Sequence, residues 1–224
     1  MSGEAGQRKA KDIAKNDRWK YFQTCYKWKR YRECGKWICR IDRRGGTMEI
    51  YQGRPETNEG RLQKEIAVYD LLDELQISYE RVDHPVLMTI ADCAEVDQTL
   101  QITICKNLFL CNHQKTEFYL LMMPGEKKFV TKEVCKKIPS PRLSFADESY
   151  MEEFLNITPG SVSIMGLMND TQNRVKLLID REIAESEYLG CHPCINTSSL
   201  KLRTKDVLEK FLPKVHHSYQ VLDL

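Results

Sequence analysis

The sequence has no long apolar run. None of its hydrophobic stretches approaches the roughly 20 residues that a helix needs to cross a bilayer. Its first residues are charged, whereas a secretory signal would carry an apolar region. The nine cysteines are an odd number without dense spacing, a pattern typical of free thiols in a reducing compartment. We therefore expect a soluble, cytoplasmic protein without disulfides and without a membrane partner.

Several catalytic motifs are also missing. There is no Gly-x-Ser-x-Gly nucleophile motif and no Ser, His and Asp set that spacing would single out. Glycine-rich phosphate loops and His/Glu pairs with metal-binding spacing are absent as well. We therefore expect no metal, no cofactor and no obvious covalent nucleophile.

Positive charge is concentrated near the N-terminus. Residues 1–47 contain 14 Lys and Arg against five Asp and Glu, which leaves 20 against 27 in residues 48–224. The first segment also holds all three tryptophans but few aliphatic residues, so it has little apolar surface to offset the entropy of ordering the chain. The simplest interpretation is that residues 1–47 are a disordered extension. A nucleic-acid-binding arm is an alternative, because Lys and Arg neutralise phosphates and Trp stacks on bases.

Two further alternatives concern the same segment. Cys25, Cys34 and Cys39 could contribute to a zinc site, but they supply only three ligands at irregular spacing. The segment could also be artefactual, because residues 43–47 followed by Met48 are what a translated purine-rich ribosome-binding sequence would look like. We therefore expect 1–47 to be a disordered or artefactual extension and 48–224 to be a single domain.

Hydrophobic periodicity predicts alternating helices and strands after residue 60. Helices are predicted at 61–75, 89–100, 147–155 and 205–212, and strands at 77–82, 103–111, 117–123, 162–168, 174–180 and 196–202. Thr89 and Asp147 are the expected caps of their helices. Turn composition at 112–115 predicts that the strands on either side pair as a hairpin.

Two polar residues interrupt the strand predicted at 103–111. An ammonium group and an amide are costly inside an apolar strand unless they meet an anion or hydrogen-bond partners. We therefore expect Lys106 and Asn107 to line a cleft. The alternative is that strand pleating turns Lys106 outward to solvent.

Other polar residues accompany this pair. His84 precedes Pro85 at the end of a predicted strand, where sheet proteins often expose functional side chains. Cys191-His192-Pro193-Cys194 has the spacing of a dithiol redox site, but it comes late in the chain and leads into a strand instead of opening a helix. The remaining constellation is Lys106, Asn107, His84, Thr89, Gly190, His192 and Asn196.

A local basic stretch follows the predicted hairpin. It consists of Lys127, Lys128, Lys132, Lys136, Lys137 and Arg142. In a domain that is otherwise acidic, this stretch could face a phosphate backbone. An isolated charge run of this kind is otherwise a solvated face.

From about Leu62 onward the chain resembles the freestanding prolyl-tRNA editing deacylases of the ProX type, relatives of YbaK and of the editing domain of bacterial prolyl-tRNA synthetases. The matching segments are His84-Pro85 with Thr89, residues 105–110, residues 159–162, Gly166-Leu167 with Asn169-Asp170, residues 176–180, and residues 190–193 with Asn196-Thr197. Cys191 and Cys194 depart from the family, which more often has Phe and an aliphatic residue there.

The resemblance implies an α/β fold of the α+β type, with a curved mixed β-sheet flanked by helices. It implies hydrolytic removal of misattached alanine from tRNA(Pro), with prolyl-tRNA synthetase as a further candidate partner. The implied catalytic residues are Lys106, Asn107 and His192, and the implied substrate-binding residues are His84, Thr89, Gly190, Cys191, Pro193 and Asn196. The basic stretch would meet the tRNA acceptor stem. The rival hypothesis is a module of the same fold that binds aminoacyl-tRNA or a regulatory partner without turnover.

Overall fold

Nine strands in the described part of the chain form two sheets. The strands are β1 (Ile50–Gln52), β2 (Tyr79–Asp83), β3 (Cys105–Asn112), β4 (Phe118–Pro124), β5 (Leu143–Phe145), β6 (Val175–Asp180), β7 (Tyr188–Cys191), β8 (Ser198–Arg203) and β9 (Tyr219–Leu222). One sheet is antiparallel throughout, in the order β1-β2-β8-β7. The other has the order β5-β3-β4-β6-β9 and is mixed, because β4, β6 and β9 run parallel.

The computed structural model describes residues 48–87, 90–102, 105–140 and 142–224, except for the side chains of 90–92. Predictions for residues 1–47, for Thr89 and for residues 103–104 fall outside this part. Within these ranges, no helix combines the length and the apolar character that crossing a membrane requires.

Helices flank both sheets. They are α1 (Gln63–Glu74), α2 (Ile90–Leu100), α3 (Thr131–Lys137), α4 (Glu148–Leu155), a 3₁₀ helix (Ile164–Asn169) and α5 (Arg181–Ala184). A closing helix combines a turn at Thr204–Asp206, a π-helical stretch at Val207–Phe211 and a last turn at Leu212–Lys214. The predicted α/β fold with helices around a mixed sheet is confirmed, with the difference that the strands divide between two sheets.

Strands β3 and β4 lie in the interior of the five-stranded sheet. They pair antiparallel, with Lys106 opposite Met123 and Asn107 opposite Met122, as the predicted hairpin requires. Alternate residues of both strands enter two different buried clusters, one on each face of the sheet. A strand that is covered on both faces reads as a continuous apolar run, which explains the composition of this segment.

Two local predictions were wrong. Residues 162–168 form no strand, because Ser163 begins the 3₁₀ helix and its hydroxyl accepts a hydrogen bond from Met165 N at 3.2 Å. Gly166 fits there because a Cβ at this position would lie 2.4 Å from Cδ1 of Ile157. Asp147 precedes α4 as predicted, but its carboxylate makes no capping hydrogen bond and pairs instead with Lys115.

Candidate functional site

Two buried histidines, His84 and His192, meet where two strands of the four-stranded sheet end. We call this end of the sheet the histidine edge. His84 follows β2 and His192 follows β7. Both strands run antiparallel to β8, which lies between them, so their C-terminal ends reach the same edge. The two ring centroids are 5.9 Å apart, and the residues are 7% and 9% exposed. The topology thus brings together two predicted site residues that the sequence separates by more than 100 positions.

Backbone carbonyl groups fix the protonation of both rings. His192 Nδ1 lies 2.9 Å from the oxygen of Ser198, and His84 Nδ1 lies 2.9 Å from the oxygen of Pro85. A carbonyl oxygen can only accept, so each Nδ1 carries the hydrogen and each Nε2 keeps a free lone pair. Burial lowers the pKa of His84 and lowers that of His192 to about 4, where nearby His84 acts in the same direction. Both imidazoles are therefore neutral at neutral pH.

Asn196 connects the two loops that carry these histidines. Its Nδ2 donates to the oxygen of Leu87 at 2.7 Å, and its Oδ1 accepts from the nitrogen of Leu87 at 3.3 Å. Gly160 packs against the amide, because a Cβ there would lie 3.2 Å from Nδ2. Asn196 therefore holds the loop after β2 against the loop after β7.

Lys106 and Asn107 lie on opposite faces of β3. Met123, opposite Lys106, belongs to the cluster that also contains Leu110, whereas Met122, opposite Asn107, belongs to the main core. The expectation that both side chains line one cleft therefore needs correction, because successive side chains on a strand point to opposite faces. Neither simply points to solvent, since both are partly buried.

Asn107 shares its face with Cys105, which touches the histidine edge. Strand β3 contacts β7, and the Cys105 thiol lies near the backbone of Gly190 and near Cys191. Asn107 Nδ2 donates to the oxygen of Cys105 at 3.2 Å. Its Oδ1 is buried and has no hydrogen-bond partner among the described residues. Such an orphaned acceptor is costly and is expected where a ligand supplies the donor.

Lys106 lies on the opposite face of β3 and is held there by the backbone of Lys127. Its Nζ donates to the backbone oxygen of Lys127 at 2.6 Å, and burial lowers the pKa of its ammonium group. The Lys127 side chain pairs in turn with the buried Asp180 at 3.0 Å and with Glu182 at 2.6 Å. These carboxylates raise the pKa of Lys127. Lys127 thus has its charge balanced within the fold.

The other five residues of the basic stretch are arranged differently from Lys127. They are Lys128, Lys132, Lys136, Lys137 and Arg142, and all are exposed. Lys132, Lys136 and Lys137 lie on α3, and none of the five makes an ion pair with another described residue. We call these five residues the cationic surface. It begins one residue beyond the carbonyl that holds Lys106.

The cysteines of the Cys191-His192-Pro193-Cys194 segment are unsuited to redox catalysis. Cys191 is 1% exposed and Cys194 is 0% exposed. Burial raises the pKa of the Cys191 thiol and raises that of Cys194 to about 12. A dithiol catalyst needs a stabilised thiolate, and these thiols stay protonated. Both cysteines belong to the main buried cluster, and Pro193, which lies between them in the sequence, is buried as well.

Sequence reasoning missed Ser198 and Ser199 at the start of β8. The oxygen of Ser198 holds His192, and the Ser199 hydroxyl lies 2.9 Å from Nε2 of His84 and 3.3 Å from Nδ1 of His192. Both serines are fully buried. The only available signal was a pair of small polar residues at the start of an otherwise alternating strand.

The chain is similar to known proteins that edit aminoacyl-tRNA. Residues 84–210 match the family described as the aminoacyl-tRNA editing domain. The prolyl-tRNA editing protein ProX of Acetoanaerobium sticklandii is 31% identical over 158 residues, which cover 70% of this chain and 96% of that protein. The prolyl-tRNA synthetase associated domain-containing protein 1 of Danio rerio is 26% identical over 163 residues, covering 72% and 86%.

A solved structure shares the fold. It is a crystal structure of a candidate trans-editing enzyme for prolyl tRNA synthetase, 15% identical, with a TM-score of 0.56 over 73% of this chain and 97% of that one. The family match contains His84, Asn107, His192 and both serines, and it spans more than half of the chain. The chain belongs to the aminoacyl-tRNA editing domain family.

Proposed function

We propose that this protein hydrolyses the ester bond of tRNA(Pro) that carries a wrongly attached small amino acid, alanine first. The observation that carries the proposal is the orphaned Oδ1 of Asn107, which lies on the sheet face that meets β7. An aminoacyl ester offers a matching donor, because its α-ammonium group has hydrogens that need acceptors. Membership of the editing family supports the same substrate class.

The proposed reaction needs no covalent nucleophile. An aminoacyl ester is already reactive, so catalysis can consist of holding the ester, orienting a water molecule and stabilising the developing negative charge. Asn107 and His192 hold the aminoacyl group in this scheme. Lys106, on the opposite face of β3, anchors a phosphate of the terminal nucleotides, since it is a cation with two hydrogens not taken by Lys127. The substrate reaches both faces across the edge of β3, because β5 pairs only with residues 110–112 of this strand.

Selection against proline is steric in this proposal. The wall formed by Gly190, Cys191 and Pro193 is buried and packed onto the core, so it has little freedom to widen. A rigid small pocket excludes a larger side chain far better than it rejects a smaller one. Alanine enters such a pocket, and the proline ring does not.

The cationic surface docks the tRNA acceptor stem in this proposal. Its five exposed cations continue from the Lys127 carbonyl that holds Lys106, so positive charge leads from the stem toward the site. Residues 48–224 otherwise carry an excess of acidic groups, which would repel a polyanion at other contacts. Acting on free mischarged tRNA would place the protein in the cytoplasm, with prolyl-tRNA synthetase as a candidate partner.

The test compares tRNA(Pro) charged with alanine, serine, cysteine or proline. We expect the purified protein to release alanine well above background and to spare proline. Asn107→Ala should lower kcat/KM about tenfold or more, because a hydrogen bond to a charged group typically contributes about 1.5–3 kcal/mol. Asn58→Ala, which removes an exposed amide near β1, should have no effect.

The rival hypothesis is a binding module without turnover. It would be favoured if mischarged tRNA bound tightly while no amino acid was released above background. Equal release of proline and alanine would instead refute the steric selection but keep the hydrolytic activity.

A further inference from the structure

Three buried side chains at the histidine edge form one continuous hydrogen-bonded row. Ser199 stands between the two rings, 2.9 Å from His84 Nε2 and 3.3 Å from His192 Nδ1. Its exposure is 0%, and the two histidines are less than one-tenth exposed. Solvent therefore has little access to these contacts, and the hydrogens must be shared among the protein groups themselves.

The direction of every hydrogen in this row follows from its ends. His84 Nδ1 donates to the oxygen of Pro85 at 2.9 Å, so His84 Nε2 has no hydrogen and must accept the Ser199 hydroxyl. The Ser199 oxygen has then used its only hydrogen and can only accept from His192. His192 Nδ1–H is shared between this oxygen and that of Ser198 at 2.9 Å. The outer nitrogen of His192, Nε2, is left as a bare acceptor.

We infer that Ser199 and His84 are positioning residues which, together with the Ser198 carbonyl, hold His192 in the tautomer that presents Nε2 as an acceptor to the α-ammonium group of the substrate. This inference rests on the proposed function and deepens it, because it names what the site recognises besides small size. Nε2 makes no hydrogen bond to a described residue. The Oδ1 of Asn107, on the strand that contacts β7, is the second neutral acceptor of the proposed site.

The role of His192 is recognition rather than proton removal. A base whose pKa is about 4 is too weak to take a proton from water efficiently near pH 7. A neutral imidazole lone pair is nevertheless a good hydrogen-bond acceptor for an ammonium group. The other tautomer would place a hydrogen on Nε2 and point it at a cation, which would repel the substrate.

The first measurement needs no substrate. In protein labelled with ¹⁵N-histidine, NMR correlation of ring nitrogens with ring hydrogens reports which nitrogen of His192 is protonated. We expect Nδ1 in the native protein. In Ser199→Ala the Nδ1 hydrogen keeps one of its two acceptors, the Ser198 oxygen, so we expect a measurable share of the Nε2 tautomer, with Ser199→Thr restoring the native pattern. Ser140→Ala, which removes another buried serine hydroxyl, should leave the pattern unchanged.

The second measurement uses two substrates. Ser199→Ala should lower kcat/KM for alanyl-tRNA(Pro) about tenfold, which is about 1.4 kcal/mol, and Ser199→Thr should recover most of it. For propionyl-tRNA(Pro), which lacks the amino group and is no larger than the alanyl ester, the same substitution should have almost no effect. A purely structural role of Ser199 would lower both rates equally.

Several outcomes would overturn the inference. One is a His192 that is protonated at Nε2 in the native protein, and another is a Ser199→Ala protein that is folded and retains both the native tautomer and the native rate. Equal losses on the two substrates would also overturn it. If the native protein showed no deacylation at all, the proposed function would fail, while NMR would still decide whether Ser199 holds the tautomer of His192.

Discussion

At the scale of single residues, Lys106 combines a cationic end with a fixed anchor. Its Nζ is tied to the Lys127 carbonyl, and Lys127 is itself tied to Asp180, which is 1% exposed. A lysine at the surface moves freely and has no such anchor. The arrangement limits the positions that the Lys106 ammonium can occupy, which is what a phosphate anchor needs.

We predict that Lys106→Ala abolishes most deacylation while the protein stays folded. Loss of a charge-assisted hydrogen bond to the substrate typically costs about 1.5–3 kcal/mol, which lowers kcat/KM about 10- to 150-fold. The free energy of unfolding should change by about 1 kcal/mol or less, since removing a partly buried charge seldom unfolds a protein. Lys176→Ala, at a strand lysine paired with Glu117, is the control for kinetics and for denaturant unfolding. Near-native activity of Lys106→Ala would refute the assignment.

We also predict that stability falls in mild acid because of His192. Burial holds the pKa of His192 at about 4, below the ordinary 6.5. The unfolded chain takes up this proton at higher pH, so the contribution is complete above pH 6.5 and is lost as the pH falls from 6.5 toward 4. The two pKa values give a loss of about 2 kcal/mol at pH 5.

Urea unfolding at pH 7.5 and pH 5.0 tests the His192 prediction. The pH-dependent loss should be about 2 kcal/mol smaller in His192→Gln, which cannot titrate. His84 contributes in the same direction, because burial also lowers its pKa, so a smaller loss should persist in the variant. An unchanged loss in His192→Gln would contradict the prediction.

Residue type decided which parts of the site could be predicted. His84, Lys106 and His192 stood out because they are unusual in apolar surroundings. Ser199 did not, since serines are common and its link to His84 crosses 115 positions of sequence. The facing of Lys106 and Asn107 could have been read from strand alternation, which places neighbours on opposite faces.

At the scale of elements, α3 and its flanking residues present the cationic surface. Lys132 and Lys136 are four positions apart on this helix and therefore share a face. Lys127 precedes the helix but is not part of the cationic surface, because its ammonium group forms ion pairs with Asp180 and Glu182. The sequence could not separate Lys127 from its neighbours, since its partners lie more than 50 positions away.

We predict that replacing Lys128, Lys132 and Lys136 together by alanine weakens tRNA binding and flattens its salt dependence. Removing one lysine–phosphate interaction should lower the slope of log K against log salt by about 0.9. Hydrolysis of a short aminoacylated substrate without the stem should barely change. Replacing Lys205, Lys210 and Lys214 of the closing helix is the matched control, because it removes the same charge from a different element. An unaltered salt slope would show that the stem lies elsewhere.

Long elements were predictable and short ones were not. Helices α1, α2 and α4 carry enough turns for a repeating apolar face, and β3, β4 and β6 carry long apolar runs. Strands β1 and β5 are only three residues long, so two-residue periodicity has no room to appear. The first four residues of the 3₁₀ helix at Ile164–Asn169 are buried, and their continuous apolar run resembled a strand.

At the scale of the whole molecule, the buried clusters of described residues lie between positions 68 and 222. Met48 packs against the smallest of them, which contains Val82, Val96 and Leu100. We predict that a chain beginning at Met48 has the melting temperature and the turnover of the full chain. Thermal unfolding and deacylation of both proteins test this. A clear loss of stability in the shorter chain would show that residues 1–47 pack on the rest.

The division into two sheets could not be predicted from the strands alone. Residue patterns indicate which segments are strands, but pairing depends on contacts between distant segments. Strand β8 pairs with β2 and β7, whereas β6 pairs with β4 and β9. The break between β6 and β7 coincides with α5, which begins at Arg181 directly after β6 and is capped by Asp180.

The pairing of β2 with β8 also determines the stage of folding at which the candidate site can form. His84 meets Ser199, and Leu87 meets Asn196, only when segments 115 and 109 positions apart have come together. Such long-range contacts carry a loop-closure cost and slow folding. During synthesis, a nascent chain that has reached the end of β6 can already hold the β3-β4 hairpin, yet it has no histidine edge. An incomplete copy emerging from the ribosome would therefore lack the histidine edge on which the proposed deacylation depends.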